Sequence, residues 1–100
     1  MAAYQDIYGL FSNDIRLKVE VALLIRAQAY LDAANPTAQQ RAWARHVFTS
    51  TTGEAMLMLK YLLAKNNGLT TAQIAGASDA TIQSQVDAVA AQFVAAFSEA

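Results

Sequence analysis

Residues that interrupt a helix are scarce in this chain, and that scarcity limits its fold more than any other feature. It has one proline, Pro36, and four glycines, Gly9, Gly53, Gly68 and Gly76. An all-β domain needs a turn about every 8–12 residues and draws on glycine and proline to make it. Between the breaks, apolar residues recur at helical spacing. The clearest run is Ile82, Val86, Val89, Phe93 and Phe97, which lie on one stripe of a 3.6-residue helix.

These signals predict an all-α bundle of five helical segments forming a single domain over residues 1–100. Residues 3–11 place Tyr4, Ile7, Tyr8 and Phe11 on one face. Residues 14–34 are harder to read. Ile15-Arg16-Leu17-Lys18-Val19-Glu20-Val21 alternates like a strand, yet no second strand exists to satisfy its backbone groups. Helix is therefore expected, with apolar side chains on more than one side, as in an element packed on both flanks. Asn35-Pro36 ends it. Thr37 with Gln40 forms a capping box opening a helix over 38–48, with Trp43, Val47 and Phe48 inward. Residues 49–53 read as a polar break. Residues 54–66 are apolar nearly all round and are expected at the buried centre. Thr70 with Gln73 forms a second capping box, and the last segment covers 71–98 with a break near 76–78, where Ser78 caps the final helix.

Composition excludes further classes. Apolar residues make up 55% of the chain and charged residues 15%, against a usual charged share of about 25%. Disorder requires the opposite balance. Without cysteine there is no disulfide framework and no thiolate metal site. No uncharged apolar run approaches the roughly 18 residues of a membrane span, and no basic cluster precedes an apolar stretch at the amino terminus, so neither a membrane segment nor a secretory signal is expected.

Few residues offer chemistry. His46, the one histidine, sits beside Arg45, and no carboxylate lies three or four residues from it. The eight carboxylates are scattered, with no pair at helical spacing, and no phosphate-binding glycine loop or G-x-S-x-G turn occurs. The expectation is no enzyme, no cofactor, no metal and no small-molecule substrate. An enzyme centred on His46 is the weakest alternative.

Residues 70–86 offer another reading. Ala72, Gly76, Ser78, Thr81 and Ile82 fall where a helix-turn-helix places its small residue, turn and recognition helix. A small regulatory or DNA-binding module is thus the alternative function. Its electrostatics are adverse, because residues 66–100 hold three acids and no lysine or arginine, and phosphate binding rests on cations. Residues 1–65, with seven basic and five acidic groups, carry the opposite sign. Opposite halves suit a head-to-tail contact between copies, which closes into rings.

Three segments carry a family likeness: AAYQDIYGL at the start, NPTAQQRAWARHVF in the middle, and AQIAGASDATIQSQVDAVAAQF at the end. Together they resemble a family of small helical proteins encoded among the structural genes of tailed bacteriophages. The resemblance implies a virion or assembly role at a head-tail connector or neck, or as a capsid- or tail-associated component. It also implies a location in the particle, or in the host cytoplasm during assembly. Low charge suits such a role, since interface cores are depleted of charge and enriched in aromatics. The expected partners are further copies of the chain and other virion proteins. The candidate interface residues are Tyr4, Tyr8 and Arg16, then Arg41 and Arg45, which helical phase places outward.

Overall fold

The alternating segment Ile15–Val21 is helical throughout, and the alternation distributes its apolar residues over two faces. Ile15 and Val19 point inward, continued by Ala22, Leu23, Ala27 and Tyr30, while Leu17 and Val21 point outward. The structure, a computed structural model, describes residues 13–63 and 70–97. Among these are five helices and no strand: α1 (Asn13–Asp32), α2 (Ala38–Thr49), α3 (Thr51–Tyr61), α4 (Thr71–Gly76) and α5 (Asp79–Ala96). The expected helix over 3–11 lies outside the described residues.

The helix starts follow the sequence closely. Thr37 accepts from the Gln40 backbone N–H at 3.0 Å, and the Gln40 side chain accepts from the Thr37 N–H at 2.9 Å. Thr70 and Gln73 repeat the exchange at 3.1 and 2.8 Å. Ser78 Oγ accepts from the Thr81 N–H at 3.1 Å and opens α5. Each box satisfies two backbone donors that the first turn leaves unpaired.

Three expectations need correction. The polar break between α2 and α3 is one residue long: Ser50 leaves helical geometry, and Thr51, Thr52 and Gly53 already form the first turn of α3. The threonines tolerate this because Thr51 Oγ1 donates to the Val47 carbonyl at 2.7 Å across the corner. Phe48 points outward and is 44% exposed. It lies five residues, about 140° around the helix, from buried Trp43, so its phase takes it off the inner face. Finally, α3 is not the centre. Ala55, Met56, Met58 and Leu59 are buried, but Leu57 and Lys60 face outward. The central place belongs to α1, which touches all four other helices.

The core joins Val19, Leu23 and Tyr30 of α1 to Trp43 and Val47 of α2. It continues through Met58, Leu59 and Leu62 to Ile74 of α4 and Ile82, Val86 and Val89 of α5. Polar ties set the register of α1 against the carboxyl-terminal helices. Lys18 Nζ donates to the carbonyls of Ala75 and Ala77, both at 2.9 Å, and so closes the end of α4. Gln83 Nε2 donates to the Ala22 carbonyl at 3.0 Å and to Asp87 Oδ1 at 2.8 Å. Arg26 Nε stands 4.0 Å from the same Asp87 oxygen, an ion pair without a hydrogen bond. The Arg26 guanidinium lies 4.4 Å from the Tyr30 ring centre. The basic first part of the chain therefore meets the acidic last helix, in part, within one molecule.

Candidate functional site

The face of α1 opposite the core is unusual. Leu17, Val21 and Ile25 are 48%, 54% and 53% exposed and follow one another every fourth residue. They border a groove of about 610 Å³ whose floor includes Ala22 and Ile82 and whose far wall is Ala75. Lys18, Asp79 and Gln83 supply its polar rim. Single exposed aliphatics are ordinary on a protein surface, but a continuous row beside an apolar groove marks a contact site. Fully burying a valine, leucine or isoleucine gains about 1.5–3 kcal/mol. Each of these three side chains is already half covered, so covering the rest is worth roughly 1 kcal/mol apiece. The sequence pointed to this helix by its apolar residues on several sides. It did not show that one side is left half exposed among the described residues, because that depends on how the helices pack.

A second arrangement forms at the α2–α3 corner. The single-residue hinge at Ser50 brings Glu54, in the first turn of α3, back against His46 in the last turn of α2. His46 Nε2 stands 2.8 Å from Glu54 Oε1. Both placements suit the helix dipoles, with the carboxylate at an amino-terminal end and the imidazole at a carboxyl-terminal one. Glu54 is only 7% exposed, and its second oxygen, Oε2, has no hydrogen-bond partner among the described residues. The Trp43 indole Nε1 is likewise buried without one. The His46 and Phe97 rings are tilted against each other with centres 5.4 Å apart. Gln39 Nε2 holds the adjoining backbone by donating to the Phe97 carbonyl at 3.2 Å. A cleft of about 230 Å³ opens here, lined by Trp43, Glu54, Leu57, Phe93, Ala96 and Phe97.

The residues singled out from the sequence do not come together as one site. Tyr4 and Tyr8 lie outside the described residues. Arg16 is partly buried and pairs with Glu20 Oε2 at 3.1 Å within α1. Arg41 is exposed, and its Nη1 donates to the Pro36 carbonyl at 2.7 Å, bracing the turn before α2. Arg45 is exposed one turn further along. Helical spacing gives no hint that His46 pairs with Glu54, because the two stand on different helices across a corner that reads as a longer break. Two neighbouring hydroxyls are engaged elsewhere: Thr49 Oγ1 donates to the His46 carbonyl at 3.1 Å, and Thr51 Oγ1 to that of Val47.

Residues 70–86 form a helix, a two-residue turn at Ala77 and Ser78, and the start of a second helix. Lys18, a cation packed against this unit, is bound to its carbonyls. Among the described residues no group of three metal-binding side chains occurs, and no helix is long and apolar enough to cross a membrane. Comparison with family models, with curated proteins and with solved structures gave no match.

Proposed function

We propose that this chain is a non-enzymatic assembly protein that associates with a second copy of itself through the outer face of α1. One observation carries the reading: the uninterrupted row of Leu17, Val21 and Ile25, about half exposed, beside an apolar groove. The row also favours a like partner. Spaced evenly about Val21, it presents the same pattern in either direction. Two copies crossing antiparallel set Val21 against Val21 and Leu17 against Ile25, the self-complementary match of a two-fold interface. A net charge of -1 opposes that approach only weakly. The Arg26–Asp87 pair engages opposite charges inside the molecule, and the Lys18 ammonium is taken up by the backbone carbonyls of Ala75 and Ala77, which leaves less for head-to-tail rings.

The likeness of three sequence segments to small helical proteins of tailed bacteriophages supports placing this association in a virion, at a head-tail connector or as a capsid- or tail-associated component. Such a chain is found in the particle, or in the host cytoplasm during assembly. The alternative, a DNA-binding module on residues 70–86, has the helix-turn-helix outline but no lysine or arginine of its own to hold phosphate. Native mass spectrometry tests the proposal: dimers or higher even assemblies of the purified chain are expected. A strictly monomeric chain at high concentration, with no virion protein bound in a pull-down, overturns it.

A further inference from the structure

We propose that the outward stripe of α2, made by Arg41, Arg45 and Phe48, docks an acidic helix of a partner protein, one that presents two carboxylates a helical turn apart with an aliphatic side chain beside them. This surface is on a different helix from the α1 row and does not depend on the assembly reading. The three residues stand at i, i+4 and i+7, in one line along the helix, and all three are exposed. Their surroundings supply no counter-charge. The helix itself contains no acidic residue. Between Asp32 and Asp79 the chain sets Arg41, Arg45, Lys60 and Lys65 against a single acid, Glu54, and that one is buried. The cations of α1 are engaged within the molecule, Arg16 by Glu20, Arg26 by Asp87 and Lys18 by backbone carbonyls. Among the described residues no carboxylate forms an ion pair with Arg41 or Arg45.

The stripe narrows the class of partner. Like charges four residues apart on a helix repel, and a pair of facing carboxylates relieves that repulsion. Each guanidinium is a planar fork that matches a carboxylate with two parallel hydrogen bonds. The Arg41 fork is already steadied, because Nη1 donates to the Pro36 carbonyl at 2.7 Å. Less side-chain freedom is then lost on binding, and the remaining N–H groups are left for the partner. Phe48, 44% exposed and one turn past Arg45, adds an apolar anchor. Arginine and aromatic residues are the types enriched where interfaces bind most strongly. The same features favour a protein segment over nucleic acid. Affinity for a phosphate backbone grows with the number of cations, and two arginines release only about two counterions. Residues 66–100 add three acids and no lysine or arginine. A purely anionic partner would also leave Phe48 without an apolar contact.

Two-dimensional ¹H–¹⁵N spectra of the full chain are recorded during titration with an acetylated, amidated, alanine-rich helical peptide that carries two glutamates one turn apart and a leucine on the same face. A second peptide has glutamine in place of both glutamates. Further titrations use a single-stranded and a duplex oligonucleotide. The glutamate peptide is expected to shift the Arg41, Arg45 and Phe48 amides, with binding about fivefold tighter than that of the glutamine peptide at low salt, as two exposed ion pairs allow. The preference should fade when salt is raised to about 0.5 M. Replacing both arginines, Arg41→Gln with Arg45→Gln, should abolish it. Equal binding of the two peptides overturns the proposal, as does a flat response to both, or a preference that survives the double variant. Tighter binding of either oligonucleotide at the same amides also overturns it and makes a phosphate chain the occupant. The peptide and oligonucleotide comparisons are read on the unaltered protein, so they stand even if the double variant fails to fold.

Discussion

Replacing His46 by alanine should cost far more than its partly exposed position suggests. The substitution removes the nitrogen that stands 2.8 Å from Glu54 Oε1, and the other oxygen already lacks a hydrogen-bond partner. A buried acceptor left unpaired costs about 1–3 kcal/mol, more when charged. The His46 side chain is 40% exposed, so its loss lets some water reach Oε1 and moves the cost toward the lower end. About 1.5 kcal/mol remains, which for a domain of this size lowers Tm by roughly 6–12 °C. Glu54→Met should behave differently. It removes the buried charge and its unpaired oxygen together and fills a similar volume, so its effect should stay within about 1 kcal/mol in either direction. The double variant should then be no less stable than Glu54→Met alone, giving a coupling near the full cost of His46→Ala. Urea unfolding followed by circular dichroism, repeated for the three variants, measures the cycle. A His46→Ala cost below about 0.5 kcal/mol, or a Glu54→Met cost exceeding it, would show that Glu54 does not depend on this contact.

Other expectations are simpler. Thr37→Ala removes one half of the first capping box and should destabilise by about 1 kcal/mol, seen as a lower urea midpoint at unchanged m. Leu23→Ala, at a fully buried position on α1, should cost about 2–5 kcal/mol and leave the chain marginal by the same assay. Lys18→Met withdraws the ammonium from the carbonyls of Ala75 and Ala77. Amide exchange over residues 71–77 should then quicken while exchange in α2 stays as it was, since the tie is local to α4.

What the sequence disclosed and what it concealed have physical causes. Capping boxes are local, made by residues three apart, and Thr37, Thr70 and Ser78 all mark helix starts. The stripe of α5 was legible for the same reason, with Ile82, Val86 and Val89 buried as their spacing required. Non-local features were hidden. The strand-like alternation of residues 15–21 becomes intelligible only once α1 is seen to bury Ile15 and Val19 while leaving Leu17 and Val21 outside. The pairing of His46 with Glu54 depends on a single residue, Ser50, leaving helical geometry, which no periodicity reports. Helical phase places an arginine on a face but does not name its partner. Arg16 meets Glu20, and Arg41 the carbonyl of Pro36.

If copies of this chain meet through the outer face of α1, sedimentation equilibrium of two lysine variants will show it. In an antiparallel two-fold contact, Val21→Lys loses apolar burial in both copies and sets two ammonium groups against each other across the axis. The combined penalty of roughly 3 kcal/mol or more weakens association at least about a hundredfold. Phe48→Lys alters an exposed apolar residue of similar accessibility on α2, away from that face, and serves as the control. A monomeric Val21→Lys chain is expected, beside a Phe48→Lys chain that associates like the unaltered protein. Unchanged association of Val21→Lys, or loss of association in Phe48→Lys alone, would contradict assembly through this face.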